Sequence, residues 1–429
     1  MHILYVSQYF PPEMGAPAAR VSELAHHWVR AGHRVTVLTG FPNHPAGRLH
    51  PDYREAYRRF GAREVIDGIE VIRTWLLPLP NRKPYERVLN YSSFWLSSSL
   101  RGMLLQRPDV VIGTSPQLLV GLSGWWLGRV KRVPFVFEVR DLWPESITAS
   151  GVGNDQSLFV RTLRAISGFL YRSSTHIAVV TPAFQQNLVQ QWQIDPQKIA
   201  IAQNGVETDL FTPDGPTAHV QQAFQLKGRF VVSYIGTLGL AHGLTTVLEA
   251  AVELQQSRPD VLFLLVGEGA DRERLLQLVQ AYGLTNVRFT GQQPREQIPA
   301  LLRASHACLV LLKKADVFKT VIPTKMLECM ACARPIILGV EGQARELIET
   351  AQAGLCIPPE DVPSLVASIT RLHDDAALRQ HLGDQGRRYI VEHLSRERMA
   401  HEYLHVLEQV VERKALKRSE RWNVEALKR

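Results

Sequence analysis

Short apolar runs alternate with longer helical patterns along the whole chain. Five runs in the first half are rich in β-branched and aromatic residues and are bounded by turns or polar loops, which is typical of buried parallel strands. They cover residues 3–7, 35–38, 110–113, 135–139 and 177–180. Between the first two runs, residues 20–31 place Val21, Leu24, Ala25 and Trp28 on one stripe, as in an amphipathic helix. The first half therefore predicts repeated strand–helix units.

The pattern breaks at residues 211–216, which are too rich in proline and glycine for a regular element, and we interpret them as an interdomain linker. Apolar runs, each followed by a helical pattern, then resume at residues 231–235, 261–266, 287–289, 308–312 and 335–338. From residue 376 to about 411 the chain is predicted to be helical, with a break at Leu394 and Ser395. This alternation predicts an α/β protein with two doubly wound domains, in which ligands bind outside the carboxyl ends of the strands.

The length and composition agree with two globular domains. A chain of 429 residues exceeds the roughly 250 to 300 residues that one hydrophobic core supports. No apolar run approaches the roughly 20 residues that a membrane span needs. The first six residues lack the basic, apolar and small-residue order of a signal peptide, so we expect a cytoplasmic protein.

The net charge of +8 favours an anionic partner: nucleic acid, anionic lipid or a phosphorylated substrate. Scattered lysines and arginines argue against nucleic acid. Basic clusters at 129–132 and 414–429 are predicted membrane-surface patches, and residues 87–105 with Trp125 and Trp126 mix aromatic, aliphatic and cationic side chains in a way that suits docking. Ordinary core packing is the alternative for the two tryptophans. We therefore expect peripheral contact with an anionic membrane.

Four cysteines lie in the second half, and two of them form a Cys329-x-x-Cys332 pair. The pair falls within a pattern typical of a buried helix, and histidines at metal-binding spacing are not found beside it. A redox or zinc role is therefore disfavoured.

Two glycine-bounded turns follow predicted strands in the second half. The first contains Gly236, Thr237 and His242, and the second contains Gly267 and Glu268. Glycines at a strand-to-helix turn let backbone N–H groups approach a phosphate, although they also simply permit a tight turn. Because both turns lie at carboxyl ends of strands, the pair favours a nucleotide site.

A third segment carries polar side chains at a predicted helix start: Pro323, Thr324, Lys325 and Glu328. Proline fits the first helical turn, and Lys325 and Glu328 lie near one face at i, i+3. A cation beside helix N–H groups suits a diphosphate, and a carboxylate can accept both hydroxyls of a ribose. A simple lysine–glutamate helix pair is the alternative.

In the first half, the strand at 135–139 delivers Arg140, Asp141 and Glu145 to its carboxyl end. The two acids can orient acceptor hydroxyls, and the arginine can meet a phosphate; an arginine–aspartate pair that caps the turn is the alternative. His44 follows another strand end and is a further candidate, although an exposed loop histidine is the more common case.

Two stretches resemble retaining glycosyltransferases of family 4. Residues 323–335, which read Pro-Thr-Lys-x-x-Glu-x-Met-Ala-x-Ala-Arg-Pro, resemble the donor site, and residues 9–20 resemble the acceptor-side glycine loop of the branch with WbuB-like N-acetylfucosamine transferases. The resemblance implies the GT-B fold, with two facing Rossmann-like domains and a cleft between them, no metal or other cofactor, and retention of anomeric configuration. The expected acceptor domain is 1–210 with a returning helix at 395–429, and the expected donor domain is 211–394.

The resemblance also implies roles for individual residues. Glu328 would hold the donor ribose, Lys325, Gly236 and Thr237 would lie near its phosphates, and Gly15 and Arg20 would lie on the acceptor side. We expect Asp141, Arg140 and Lys325 to be the catalytic groups.

The chain departs from the family pattern at three places. Thr320 replaces a common acid, Thr237 and His242 stand where relatives have an arginine and a lysine, and residues 114–116 lack a common histidine. Lys325, His242 or Lys319 is then the expected source of positive charge.

The resemblance implies a UDP-sugar donor, with an N-acetylated or deoxy hexosamine, and a glycan or lipid-diphosphate-linked acceptor in cell-surface polysaccharide assembly. The expected place of action is the inner face of the plasma membrane. A UDP-sugar 2-epimerase of the same architecture and a non-catalytic nucleotide-sugar-binding protein are the alternatives.

Overall fold

The computed structural model describes residues 1–13, 15–43, 47–80, 83–145 and 157–427, with side chains described to residue 416 except that of Pro84. The chain divides into two compact units, Met1–Asn204 with Glu397–Arg429, and Gly205–Arg396. Residues 211–216 therefore lie inside the second unit and are not the linker that we predicted. Phe211 is fully buried there, and its carbonyl accepts a hydrogen bond from Arg387 at 2.8 Å.

The described part of the first unit forms an eight-stranded sheet in the order β3-β4-β2-β1-β5-β6-β7-β8. The strands are β1 (His2–Val6), β2 (Arg34–Gly40), β3 (Gly61–Ile66), β4 (Ile69–Thr74), β5 (Val110–Thr114), β6 (Phe135–Val139), β7 (His176–Val179) and β8 (Ile199–Ile201). The helices are α1 (Ala16–Arg30), α2 (Arg54–Arg58), α3 (Pro84–Met103), α4 (Leu118–Lys131), α5 (Leu158–Ser173), α6 (Pro182–Trp192) and, from the end of the chain, α15 (Arg396–Leu427).

Helices cover both faces of this sheet. Ile3, Tyr5 and Val37 share a core with Trp28 of α1 and Tyr403 of α15. The indole N–H of Trp28 donates to the carbonyl of Ala400 at 2.9 Å, which anchors the last helix to the first unit. Neighbouring strand residues point to the opposite face, where α4 packs so closely that a Cβ at Gly113 would lie 3.2 Å from the carbonyl oxygen of Val120.

The second unit forms a six-stranded parallel sheet in the order β11-β10-β9-β12-β13-β14. Its strands are β9 (Phe230–Ile235), β10 (Val261–Val266), β11 (Val287–Gly291), β12 (Ala307–Leu311), β13 (Ile336–Gly339) and β14 (Gly354–Cys356). Its helices are α7 (Ala218–Ala223), α8 (Thr245–Ser257), α9 (Arg272–Ala281), α10 (Ile298–Arg303), α11 (Thr324–Ala331), α12 (Gln343–Ala351), α13 (Val362–Asp374) and α14 (Ala376–His393). The helical region is interrupted at Leu394 and Ser395, between α14 and α15, as predicted.

The strand order places a switch point in each unit. Counted along the chain, the second sheet has the order 3-2-1-4-5-6 of the dinucleotide-binding fold. Once the hairpin strand β3 is set aside, the first sheet has the same order extended by a seventh strand, 3-2-1-4-5-6-7. Ligands of such sheets bind outside the carboxyl ends of the strands where the order reverses. In the first unit this point lies between β1 and β5, and in the second it lies between β9 and β12.

A buried ion pair ties together the carboxyl-end edge of the first sheet. Arg20 of α1 is 1% exposed, and its Nε donates to Glu138 Oε1 at 2.9 Å. Its other nitrogens donate to the carbonyls of Ala202 and Gln203 and to Asn204 Oδ1 at 2.8 to 3.0 Å. Tyr5 donates to Glu138 Oε2 at 2.7 Å. The predicted acceptor contact of Arg20 is therefore wrong, because its guanidinium is enclosed and its donors are taken by the first unit itself.

Replacing Arg20 with methionine should destabilise the first unit by about 3 to 5 kcal/mol, because Glu138 would remain buried without its partner. Tryptophan fluorescence in a urea titration reports the unfolding of the first unit alone, since all eight tryptophans lie in it. Arg30→Met, at an exposed position of the same helix, is the control. Equal urea midpoints for the two variants would contradict the structural role of the pair.

Candidate functional site

In the second unit, two glycine turns touch each other at the carboxyl ends of the neighbouring strands β9 and β10. Gly236 follows β9 with φ of 147°, and Gly267 follows β10 with φ of 139°, a range that side-chain-bearing residues rarely adopt. A Cβ at Gly267 would lie 1.9 Å from the carbonyl oxygen of Gly236. The amide of Leu238 donates to the carbonyl of Glu268 at 2.9 Å, which joins the two turns. The two predicted phosphate-binding turns thus form one structure.

Lys325 lies beside this structure. A Cβ at Gly236 would lie 2.7 Å from the lysine Nζ, so glycine leaves the space that the ammonium fills. The Nζ donates to the hydroxyl of Tyr234 at 2.7 Å and lies 4.0 Å from the centre of the tyrosine ring. The tyrosine hydroxyl donates to the carbonyl of Thr237 at 2.8 Å. Lysine, tyrosine and glycine turn therefore hold one another in place.

Burial lowers the pKa of Lys325 to about 8, and the nearby Cys329 and Glu328 oppose that shift. The ammonium is thus mostly charged at pH 7, and it has lost part of its hydration. A partly desolvated cation beside backbone N–H groups is suited to hold a diphosphate.

Two other predicted sources of positive charge are weaker. Burial, together with Lys325, lowers the pKa of His242 to about 4, so the imidazole is neutral at pH 7. Lys319 forms ion pairs with Asp316 at 2.8 Å and Glu341 at 3.5 Å. Lys325 is therefore the cation that the structure places at the glycine turns, whereas His242 is neutral at pH 7 and does not supply the expected positive charge.

Glu328 lies one helical turn after Lys325 on α11, whose N-cap is Pro323 and whose first residue is Thr324. Arg295 Nη1 donates to Glu328 Oε1 at 3.0 Å, and the guanidinium packs over the ring of Phe211 at 5.2 Å. Arg295 fixes the rotation of the carboxylate. Sequence reasoning missed both Tyr234 and Arg295.

The remaining predicted donor residues lie at the same edge of the sheet. Thr237 is exposed within the first turn. The side chain of Glu268 pairs with Arg272 at 3.3 Å, whereas its backbone supports the neighbouring turn. Its predicted contribution to donor binding therefore rests on its backbone.

In the first unit, Arg140 and Asp141 follow β6 at the carboxyl edge. Ser115, which follows β5, accepts hydrogen bonds from their backbone amides at 2.7 and 3.3 Å. The guanidinium of Arg140 donates to the carbonyl of Ala16 at 3.3 Å, so it lies at the start of α1 beside Gly15. Its Nε and Nη1 have no hydrogen-bond partner within the described ranges. Arg140, Asp141 and Gly15 are thus brought together.

Burial raises the pKa of Asp141 to about 6, although Arg140 acts in the opposite direction. The carboxylate is therefore largely ionised at pH 7 and has a basicity closer to neutrality than an exposed aspartate. Such a group can accept a hydrogen bond from a sugar hydroxyl.

Glu145 and His44 are the remaining residues predicted on the acceptor side. Glu145 raises the pKa of Tyr171, after the larger effect of burial, so its carboxylate lies near that ring. His44 lies outside the described residues.

A buried amide network beside this edge was not predicted. Gln8 Nε2 donates to Asn90 Oδ1 at 2.5 Å, and Gln117 Nε2 donates to Gln8 Oε1 at 2.7 Å. Asn43 joins through Asn90 at 3.4 Å, and its backbone amide donates to Glu13 at 2.9 Å. Polar residues directly after β1 and β2 were the available signal.

Metal-binding clusters are not found in the part of the chain that the structure describes: it contains no group of three or more His, Cys, Asp or Glu suited to an ion. Cys308, Cys329 and Cys332 are buried free thiols, with Cys329 on α11. None of the described helices is long and apolar enough to cross a membrane.

Each half of the chain matches a known protein family. Residues 15–205 match the glycosyl transferase 4-like domain, and residues 217–389 match the glycosyl transferases group 1. The chain is 25% identical over 385 residues to WcaI of Escherichia coli (strain K12), named a colanic acid biosynthesis glycosyl transferase, covering 86% of this chain and 91% of that one.

Solved structures share the fold. Sucrose-phosphate synthase from Thermosynechococcus elongatus has a TM-score of 0.76 at 21% identity, covering 95% of this chain and 98% of its own. HepE of Anabaena, solved in complex with UDP and glucose, has a TM-score of 0.71 at 17% identity, covering 95% and 99%. At these identities the likeness concerns the fold.

Replacing Gly267 with alanine should lower the stability of the second unit by about 3 kcal/mol, because the Cβ would meet a backbone carbonyl at a φ that favours glycine. Gly283→Ala is the control: its φ is also positive, at 63°, but nothing lies within 4 Å of the added Cβ. We expect a cost of about 1 kcal/mol there. Far-ultraviolet circular dichroism in a urea titration measures the loss of stability in each of the two variants. A smaller loss for Gly267→Ala than for Gly283→Ala would contradict the joined turns.

Proposed function

This chain belongs to the glycosyltransferases of the GT-B fold, with a 4-like domain followed by a group 1 domain, and on that premise we propose that it transfers a sugar from a UDP-sugar with retention of configuration. The observation that carries the proposal is the contact of Lys325 with the turn at Gly236. We assign donor binding to the second unit and acceptor binding to the first.

The proposed donor site works mainly by electrostatics. Glycosyl transfer passes through an oxocarbenium-like transition state, while negative charge grows on the departing nucleotide diphosphate. Lys325 and the amino-terminal end of α11 offer positive charge and hydrogen-bond donors for that group, and the glycine turns leave room for it to approach. Glu328, held by Arg295, is placed to accept hydrogen bonds from the ribose hydroxyls.

The proposed acceptor site uses Asp141 and Arg140. The Asp141 carboxylate accepts a hydrogen bond from the attacking hydroxyl and so orients it. In front-face attack the hydroxyl proton passes to an oxygen of the departing diphosphate, so that no side chain has to act as nucleophile. The guanidinium of Arg140 offers positive charge beside Asp141 for an anionic group on the substrate.

The donor sugar that we propose is an N-acetylated or deoxy hexosamine, which is supported by the sequence resemblance at residues 9–20 and 323–335. We propose a glycan or lipid-diphosphate-linked acceptor in cell-surface polysaccharide assembly, which the similarity to WcaI supports. Such an acceptor would bring the enzyme to the cytoplasmic face of an anionic membrane.

A donor panel tests the function directly. The protein is incubated with UDP-, GDP- and ADP-sugars, with and without a lipid-diphosphate-linked sugar acceptor, and released nucleotide and new glycan are measured. We expect acceptor-dependent release of UDP from a UDP-hexosamine and an α-linked product from an α-linked donor. Release from GDP-sugars alone would overturn the choice of base, an inverted product would overturn retention, and a free epimerised sugar would favour the epimerase.

The pH dependence of UDP binding tests the role of Lys325. Affinity should fall by up to about tenfold as the pH rises from 7 to 9, because the free protein loses the ammonium proton above its pKa of about 8. Lys325→Met should weaken binding by at least about tenfold at pH 7 and remove this dependence. Lys325→Arg stays charged across the range, so it controls for titration of UDP itself. Calorimetry gives the affinities, and identical pH profiles for wild type and Lys325→Arg would contradict the assignment.

A further inference from the structure

Helix α3 buries several polar side chains and exposes most of its large apolar ones. Its buried side chains are Phe94 and three polar ones, Asn90, Ser98 and Ser99. Exposed large apolar side chains point outward: Val88, Leu89, Trp95, Leu96 and Leu100, followed by Leu104 at the end of the helix. An ordinary surface helix turns its apolar stripe to the core and its polar side chains to water.

The inward polar side chains are satisfied by hydrogen bonds, so the arrangement is a stable one. Asn90 donates to the carbonyl of Leu77 at 2.8 Å and accepts from Gln8. The hydroxyls of Ser98 and Ser99 lie 2.8 and 3.2 Å from that of Ser123 on α4. Phe94 is the large apolar side chain that α3 buries, and the other large apolar side chains remain exposed along about 24 Å of helix.

The exposed apolar surface continues onto the next two helices. On α4, Trp126 and Val130 are exposed, and on α5, Leu158, Phe159 and Phe169 are exposed. The rings of Phe169 and Trp125 pack edge to face at 4.9 Å, which joins the two helices. We call the exposed sides of α3, α4 and α5 the outer face.

The charge of these three helices identifies the partner. Their 50 residues contain seven arginines and lysines and a single acid, Glu86, which amounts to +6 of the chain's net +8. Arg101, Arg129, Arg161 and Arg164 are exposed among the apolar side chains. A second copy of the chain would bring two such positive faces together, whereas anionic lipid headgroups complement them.

We propose that the outer face is an interfacial docking surface for an anionic lipid bilayer, with the apolar side chains of α3, α4 and α5 inserted at headgroup depth and the arginines on the phosphates. Aromatic and aliphatic side chains mixed with cations suit that depth, and none of the described helices could span the bilayer. The inference rests on the proposed function, in which the acceptor is membrane-linked, and assigns the partner to particular residues.

Vesicle flotation tests the surface. Wild type should float with vesicles of phosphatidylcholine and phosphatidylglycerol and bind vesicles of phosphatidylcholine alone much more weakly. The triple variant Leu89→Ser, Leu96→Ser, Leu100→Ser should bind at least about tenfold less, because three large side chains no longer enter the interface. The control replaces Val252, Tyr282 and Val391, exposed apolar residues of the second unit, with serine and should bind as wild type does.

A second variant keeps the apolar side chains and removes the charge. Substituting glutamine at Arg129, Arg161 and Arg164 should weaken binding to the anionic vesicles by roughly fivefold per residue. Flotation of both triple variants at the wild-type level would overturn the proposal. A wild-type dimer in sedimentation that the serine variant abolishes, without flotation, would assign the face to a second copy and also overturn it.

UDP affinity separates the two proposals. Both outer-face variants should bind UDP as wild type does, which also shows that they are folded. If wild type floats with anionic vesicles but does not bind UDP, the docking proposal is supported and the proposed UDP-sugar donor is contradicted. Loss of both binding activities in both triple variants would show that these residues maintain the fold and would overturn the docking role.

Discussion

A lysine ammonium held between a tyrosine and a glycine turn is the interaction on which the donor half of the account depends. Lys325 occupies space that exists because position 236 has no side chain, and Tyr234 fixes it from the strand that leads into the turn. The hydroxyl of Tyr234 also holds the carbonyl of Thr237, so the cation and the turn form one unit. Electrostatic preorganisation of this kind requires no movement of the protein as charge develops on a leaving diphosphate.

Much of the fold could be predicted from the hydrophobic pattern, because buried parallel strands are continuous apolar runs. The predicted strand at 261–266 has the observed bounds, and those at 110–113 and 231–235 differ by one residue. The β3–β4 hairpin was missed although Asp67 and Gly68 form a turn at positive φ, the usual sequence signal for it. Strands β8 and β14 have three residues each, which is too short to produce a readable pattern.

The site was predictable where one segment carried its own signal, and unpredictable where a contact joins distant segments. Strand ends and a helix start pointed to Gly236, Gly267 and Lys325. The partners Tyr234 and Arg295 lie 91 and 33 residues from the groups they hold, and nothing local marks them. Arg20 shows the converse error: its motif suggested an exposed role, but Glu138, 118 residues away, draws it into the core. The sequence predicted membrane docking at residues 87–105 with Trp125 and Trp126, but which side of α3 points outward could be read only from the burial of its side chains.

Hydrogen–deuterium exchange of the whole chain with and without UDP tests the central claim, that Lys325 and the glycine turns form a single phosphate-binding structure. The account predicts that UDP slows exchange in peptides covering residues 234–243, 266–269 and 322–328 together, since one diphosphate would bridge them. UDP binding that slows exchange elsewhere and leaves these three segments unchanged would contradict it.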